Sequence, residues 1–288
     1  ALPILKIASI DIGTNAIKSK IFKTTPTSIE FIEGIRSPIR LGSSVFKEGY
    51  LKKNKLNELV KTLRKYQKNF KKNNIKMYEI VATSAFRDTQ NSEDARRYVE
   101  NKIEHPIRII SGLEEAKLIR FHPKAQSKNN NVFVDVGGGS TEIYIHQDDR
   151  HIIKSFQLGA VRGMLNKNDH NEWKRLKSWL KKQNNADVLV GLGGNIRSFL
   201  KIYESNKMPI SDFIKFADEL CMLGLDEKIQ KYALANDRAD IIDEALKIYI
   251  EIAELLNVKT IKSTRWGVSD SIAVKTFHEL YSNKITIS

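Results

Sequence analysis

Cysteine is nearly absent from this chain of 288 residues: Cys221 stands alone, so neither an intrachain disulfide framework nor a cysteine-built zinc cluster is available. No apolar run approaches the ~20 residues a membrane-spanning helix needs. The first residues, Ala1-Leu2-Pro3-Ile4-Leu5-Lys6, lack a signal-peptide pattern. These absences lead to the expectation of a soluble, cytoplasmic protein without a membrane partner. Acidic residues are also scarce, 34 Asp and Glu against 48 Lys and Arg, for a formal charge of +14. That imbalance suits a polyanionic partner, nucleic acid or condensed phosphate, and equally suits solubility alone; composition does not choose. What is present is globular. An apolar content of 41% and a charged content of 28% exclude a disordered chain, and the length accommodates two domains with a core each.

The most informative stretch runs from Val132 to Ile145. An apolar β-branched run, Val132-Phe133-Val134-Asp135-Val136, is followed by Gly137-Gly138-Gly139-Ser140-Thr141 and then by the alternating segment Glu142-Ile143-Tyr144-Ile145. The pattern predicts a hairpin whose turn carries almost no side chains. Glycines allow close approach of backbone N–H groups to a ligand, and consecutive amides form an anion-binding concavity. Asp135 and Glu142 flank that turn, and amides for phosphate beside carboxylates suit a hard cation such as Mg²⁺ or another divalent ion. In isolation an ordinary glycine-rich hairpin would read the same way.

The device occurs twice. Ile4 to Ile10 predicts a buried strand that ends in Asp11-Ile12-Gly13-Thr14-Asn15, with a return strand from Ala16 to Phe22. Two copies predict two similar halves, each presenting a phosphate-binding turn and an aspartate toward a shared cleft. Between them, Leu56, Leu59, Val60, Leu63, Tyr66 and Phe70 have helical spacing, and the stretch from Lys47 to Lys76 is strongly basic, most simply a solvated helix face. Tyr78 to Ala82 predicts a strand opening onto Thr83-Ser84-Ala85-Phe86-Arg87, where an α/β sheet binds ligands and an arginine suits phosphate. Ile107 to Ile110 predicts another strand, entering Ser111-Gly112-Leu113-Glu114-Glu115-Ala116. Paired carboxylates at a helix start also serve as simple dipole complements. A third glycine turn, Gly191-Leu192-Gly193-Gly194, follows Val188-Leu189-Val190.

The two hairpins resemble the phosphate loops of the actin-like ATPase superfamily. With Arg40-Leu41-Gly42, Ala82 to Arg87, Ile110 to Ala116, Leu158 to Arg162, Gly191 to Gly194 and Arg238-Ala239-Asp240, the chain resembles the exopolyphosphatase/guanosine pentaphosphate phosphatase family from about Ile7 to about Leu256. The resemblance implies two actin-like (ribonuclease H-like) α/β domains, residues 1–120 and 121–288, with mixed sheets flanked by helices and the ligand cleft between them. A hinge is expected near 120–131. It implies release of terminal phosphate from polyphosphate or a guanosine penta- or tetraphosphate, with no specific nucleic-acid partner and room for a homodimer. Glu115 is the implied catalytic base, with Arg87 beside it in the catalytic set. Gly13, Thr14, Asn15, Gly137, Gly138, Gly139, Ser140, Thr141, Gly193 and Gly194 are the expected phosphate-binding residues. Asp11, Asp135 and Glu142 form the expected metal environment. An ATP-dependent kinase or ATPase of the same fold, and a weakly catalytic polyphosphate- or alarmone-binding protein, are the competing classes. The stretch Ser263 to Asp270 lacks the Arg-Glu pair usual in the family.

Overall fold

The structure, a computed structural model, describes residues 4–127, 130–147 and 150–282. The chain divides into two compact units, residues 1–111 with 268–288, and residues 112–267.

The first unit begins with β1 (Leu5–Ile12), β2 (Ile17–Thr25) and β3 (Ser28–Ser37). There follow α1 (Leu41–Glu48), α2 (Lys53–Lys72), β4 (Met77–Ala82), α3 (Ser84–Arg87), α4 (Ser92–Ile103) and β5 (Arg108–Ile109). Its sheet has the order β3-β2-β1-β4-β5. β1 is antiparallel to β2 and parallel to β4. Residues Ile7 to Ile12 are all buried, as a central strand covered on both faces requires. The amphipathic pattern places α2 as expected: Leu56, Leu59, Val60, Leu63, Tyr66 and Phe70 are buried, and Lys61, Lys65, Lys68, Lys71 and Lys72 are exposed.

The second unit runs through α5 (Gly112–Leu118), a 3-10 turn (Ile119–Phe121), β6 (Asn131–Val136), β7 (Thr141–Gln147) and β8 (Arg150–Phe156). It continues with α6 (Ala160–Met164), α7 (His170–Leu180), β9 (Val188–Leu192), α8 (Gly194–Ile202), β10 (Lys207–Pro209) and α9 (Ile210–Cys221). α10 (Leu225–Tyr232), α11 (Asn236–Ala239), α12 (Ile242–Leu255) and β11 (Thr260–Ser263) complete it. The sheet order is β10-β11-β9-β6-β7-β8. Read from the other edge, β8-β7-β6-β9-β11 repeats the order of the first sheet, with β10 added antiparallel at the rim. The two halves suggested by the repeated hairpin are thus two mixed sheets of the same topology, each flanked by helices.

The division differs from the expected boundary of 120/121. The first unit ends at Ser111, and the last helix, α13 (Val268–Ser282), belongs to it. α13 packs on β1 and β2, burying Ala273 against Ile7 and Phe22, with Phe277 and Leu280 alongside. Lys20 and Asp270 form an ion pair at 2.6 Å, and Ser9 donates to the Ser269 carbonyl at 2.7 Å. Sequence order could not reveal this, because the contacts join opposite ends of the chain. Lys128 and Asn129, within the expected hinge, lie outside the described residues. Among the described residues no helix is long and apolar enough to cross a membrane.

Candidate active site

The glycine turn of the second unit is built from β6 and β7, which pair with Asp135 opposite Glu142 and Val136 opposite Thr141. The Gly137 amide closes the turn onto the Ser140 carbonyl at 2.9 Å. The carbonyls of Gly137 and Gly138 point the other way, into the start of α6, where the amides of Ala160, Val161 and Arg162 donate to them at 2.8–3.0 Å. Arg162 Nε adds a bond to the Gly139 carbonyl at 2.9 Å. With these carbonyls engaged by α6, the amides of Gly138 and Gly139 make no protein hydrogen bond among the described residues. That is the polarity an oxyanion requires. The close packing depends on Gly159: a Cβ there would stand 2.6 Å from the backbone of Gly138 and Gly139.

The first unit repeats the construction. The Gly13 amide donates to the Ala16 carbonyl at 3.2 Å, the same bond at the same offset from the aspartate. The carbonyls of Thr14 and Asn15 accept from the amides of Gly42 and Arg40, both at 2.9 Å, at the start of α1. Arg40 reaches this position only by adopting φ 58°, and a side chain at Gly42 would overlap the Thr14 methyl. The motifs Arg40-Leu41-Gly42 and Leu158 to Arg162 therefore hold the two turns from behind. Sequence reading found both segments without this role.

Asp135 and Glu142 share one face of the second sheet, because register partners do. Glu142 is 1% exposed and accepts from Ser155 Oγ at 2.8 Å, whereas Asp135 is half-buried. A third turn closes around Asp135. Gly193 has φ 80°, and a Cβ there would stand 2.8 Å from Asp135 Oδ1. Behind it, Arg238 packs on Gly194 and donates to Asn195, whose amide donates in turn to the Val136 carbonyl at 2.8 Å. The buried Tyr249 hydroxyl joins Leu192 and Val136, and its pKa is raised by burial and then by the Asp135 charge. Arg238, Asn195 and Tyr249 escaped the expected site list. Arg238 lay in a quoted motif, but nothing local to it indicated that it supports a turn 44 residues earlier in the chain.

Magnesium commonly takes one or two carboxylates and completes its shell with water and substrate phosphate oxygens. Asp135 with Glu142 beside it fits that demand. Among the described residues no group of three acidic, histidine or cysteine side chains is placed to cage a metal. Asp11 fits less well, since Lys18 Nζ stands 3.4 Å from its carboxylate and already supplies a countercharge. Thr141 was expected to bind phosphate. It is fully buried and its hydroxyl donates to the Leu158 carbonyl at 2.7 Å, so it serves the hairpin. Ser140 is 4% exposed in the turn itself.

Glu114 and Glu115 open α5, which packs across β7 and β8. Glu114 is exposed and Glu115 half-buried, the separation expected of adjacent helical residues ~100° apart. Arg87 belongs to the first unit, at the end of α3. Its guanidinium donates to the Ile110 carbonyl at 2.9 Å, just past β5, so it is held where β1, β4 and β5 end.

The atypical stretch after β11 has structural duties. The Trp266 carbonyl accepts from the Gly193 amide at 3.4 Å. Its ring packs on the core of Phe133, Tyr144 and Leu192 and meets the His122 ring edge-on at 5.4 Å. His122 Nδ1 accepts from the Lys124 amide at 3.1 Å, leaving Nε2–H to donate to Thr264 Oγ1 at 3.3 Å. Burial, then Lys124 and Lys262, push the imidazole from 6.5 down to about 4. Between those pH values the unfolded chain binds a proton here that the folded chain does not. Stability is therefore expected to fall as pH drops from 6.5 toward about 4. Urea titrations of wild type and His122→Gln at several pH values check this; the variant should show the shallower dependence.

Among curated relatives, the bifunctional 3-dehydroquinate synthase/phosphatase of Fusobacterium nucleatum is 28% identical over 86% of this chain and 44% of its own length. The guanosine-5'-triphosphate,3'-diphosphate pyrophosphatase of Aeromonas salmonicida is 23% identical over 88% of this chain and 55% of its own. The chain thus spans about half the length of these relatives. Among solved structures, an exopolyphosphatase from Cytophaga hutchinsonii superposes with a TM-score of 0.84 at 18% identity, covering 95% of this chain and 98% of that one. The Aquifex aeolicus member of the Ppx/GppA family gives 0.76 at 21% identity, covering 99% and 100%. At these identities the likeness establishes the fold alone, two mixed sheets flanked by helices. The sequence itself matches the Ppx/GppA phosphatase family over residues 20–280, and the chain belongs to that family.

Proposed function

We propose that the protein is a phosphoric anhydride hydrolase that releases terminal phosphate from inorganic polyphosphate or from guanosine pentaphosphate. The observation that carries this reading is the Gly137–Ser140 turn, with its glycine carbonyls tied back by α6 and the amides of Gly138 and Gly139 left to an oxyanion, beside the Asp135–Glu142 pair. Phosphoryl transfer asks for positioning and charge neutralisation more than for covalent chemistry by the protein. The Gly13–Asn15 turn is closed and backed in the same way, and Arg87 neutralises phosphate charge. A divalent cation, when bound by Asp135 with Glu142 behind it, would neutralise phosphate oxygens. Glu115 orients a water and takes its proton as the oxygen attacks the terminal phosphorus in line, while the phosphoanhydride bond opposite breaks and its bridging oxygen leaves with the shortened chain.

The test is phosphate release from long-chain polyphosphate and from guanosine pentaphosphate, side by side, with Mg²⁺ and then with EDTA. Release from neither, under either condition, rejects the hydrolase assignment. ADP formation from ATP with no release from polyphosphate would support a kinase or ATPase instead. Arg87→Ala is expected to raise KM and lower kcat together, since it removes charge complementarity from ground and transition states alike. A change confined to kcat, with substrate binding intact, would remove Arg87 from the binding role.

A further inference from the structure

Two lysines face each other in the second sheet with no ion-pair partner among the described residues. Lys207 on β10 and Lys262 on β11 are direct register partners in an antiparallel pair, so their side chains leave the same face from neighbouring positions. Like charges placed directly opposite destabilise a sheet. Lysine on an exposed rim strand is common, because it discourages edge-to-edge pairing, and that accounts for Lys207 on β10. It does not account for Lys262, which lies one strand in and is half-buried. Lys124 adds a third charge from the His122 segment, which is tied to Thr264, two residues beyond Lys262, by the His122–Thr264 hydrogen bond. Among the described residues none of the three forms an ion pair, although the neighbouring Lys259 does so with Asp187 at 2.6 Å.

We propose that Lys124, Lys207 and Lys262 form an oxyanion subsite that holds a phosphate group of an oligophosphate ligand. Burial, then the charges of Lys124 and Lys207, depress the Lys262 pKa, a cost that a bound anion relieves. The register also gives the subsite its direction. Lys262 is level with Val190 and Phe133, and Asp135 lies two residues beyond Phe133 on the same face. From strand spacing and rise, Lys262 and Asp135 are roughly 12 Å apart at Cα. The direct line between them is filled by Phe133, Val190 and Leu192 with Trp266 packed against them, so a ligand reaching from the glycine turn to the lysines would pass around that cluster. The choice of oligophosphate as ligand rests on the hydrolase reading; the lysine geometry does not.

Inorganic tripolyphosphate is the probe, in EDTA, on the full chain. Calorimetry should show binding weakened about tenfold or more by Lys207→Met/Lys262→Met, as expected for loss of charged hydrogen bonds. Without anion the double variant should melt no lower than wild type, and tripolyphosphate should raise the wild-type midpoint more than the variant's. A parallel titration with orthophosphate separates the two sources: equal lysine-dependent binding marks a site for single phosphates, weaker binding one for a chain. Unchanged tripolyphosphate affinity in the double variant overturns the subsite. So does a variant less stable than wild type without anion, or lysine-dependent binding of an oligothymidine strand with none of tripolyphosphate. Full turnover by Glu115→Gln would instead count against the hydrolytic base and leave the lysine result standing.

Discussion

Glu115→Gln is expected to bind polyphosphate as tightly as wild type and to turn it over at least ~100-fold more slowly, the usual cost of losing a general base. The substitution keeps the shape and hydrogen-bonding capacity of the side chain while removing its proton affinity. Glu114→Gln is the internal control. It sits one position earlier on α5 and is exposed where Glu115 is half-buried, so its effect should be mild. Steady-state hydrolysis and equilibrium binding on folded, monodisperse variants separate the outcomes. Full activity in Glu115→Gln would end the general-base assignment, and full activity in both variants would move the chemistry off α5 altogether.

A comparably large effect is expected at Gly159, which carries no side chain. Its backbone is extended, so alanine meets no conformational objection, and the obstacle is purely the 2.6 Å approach of a Cβ to the backbone of Gly138 and Gly139. Backbone cannot step aside as the end of a flexible side chain can. Either the turn is displaced or α6 retreats and gives up its bonds to the Gly137 and Gly138 carbonyls. Gly159→Ala should therefore reduce kcat/KM about 100-fold through misplaced amides, in line with losing oxyanion donors, with a stability loss of about 1–3 kcal/mol from overpacking. Gly34→Ala on β3 is the matched control, since its Cβ would meet only contacts at 3.4 Å. Phosphate release and thermal unfolding of both variants check the pair. An active Gly159→Ala would show that the geometry of the turn does not limit the reaction.

The legible parts of this protein are those whose causes are local. Both turns could be read because an apolar strand, an aspartate and a glycine within a few residues dictate the same closure, Gly13 to Ala16 and Gly137 to Ser140. The amphipathic α2 was visible for the same reason. What stayed hidden depends on partners distant in sequence. Thr141 reads as a phosphate ligand until Leu158 is seen to accept its hydroxyl. Arg40 gives no sequence sign of its left-handed backbone, and Lys207 and Lys262 become a pair only once β10 and β11 are in register. The domain boundary was misplaced because the placement of α13 is decided by β1 and β2.

That return of α13 also sets the order in which the protein can be made. Residues 112–267 form one uninterrupted unit, able to close its sheet as soon as they have left the ribosome. The sheet of the first unit emerges before it yet must wait, with Ile7 and Phe22 uncovered, for a helix translated after the whole second unit. Its latest contacts, such as Ser9 to Ser269, close a loop of 260 residues, an entropic penalty that local contacts do not carry. The half synthesised first is thus the half completed last, and a nascent chain stalled before Val268 carries a finished second unit beside a first unit with an open seam.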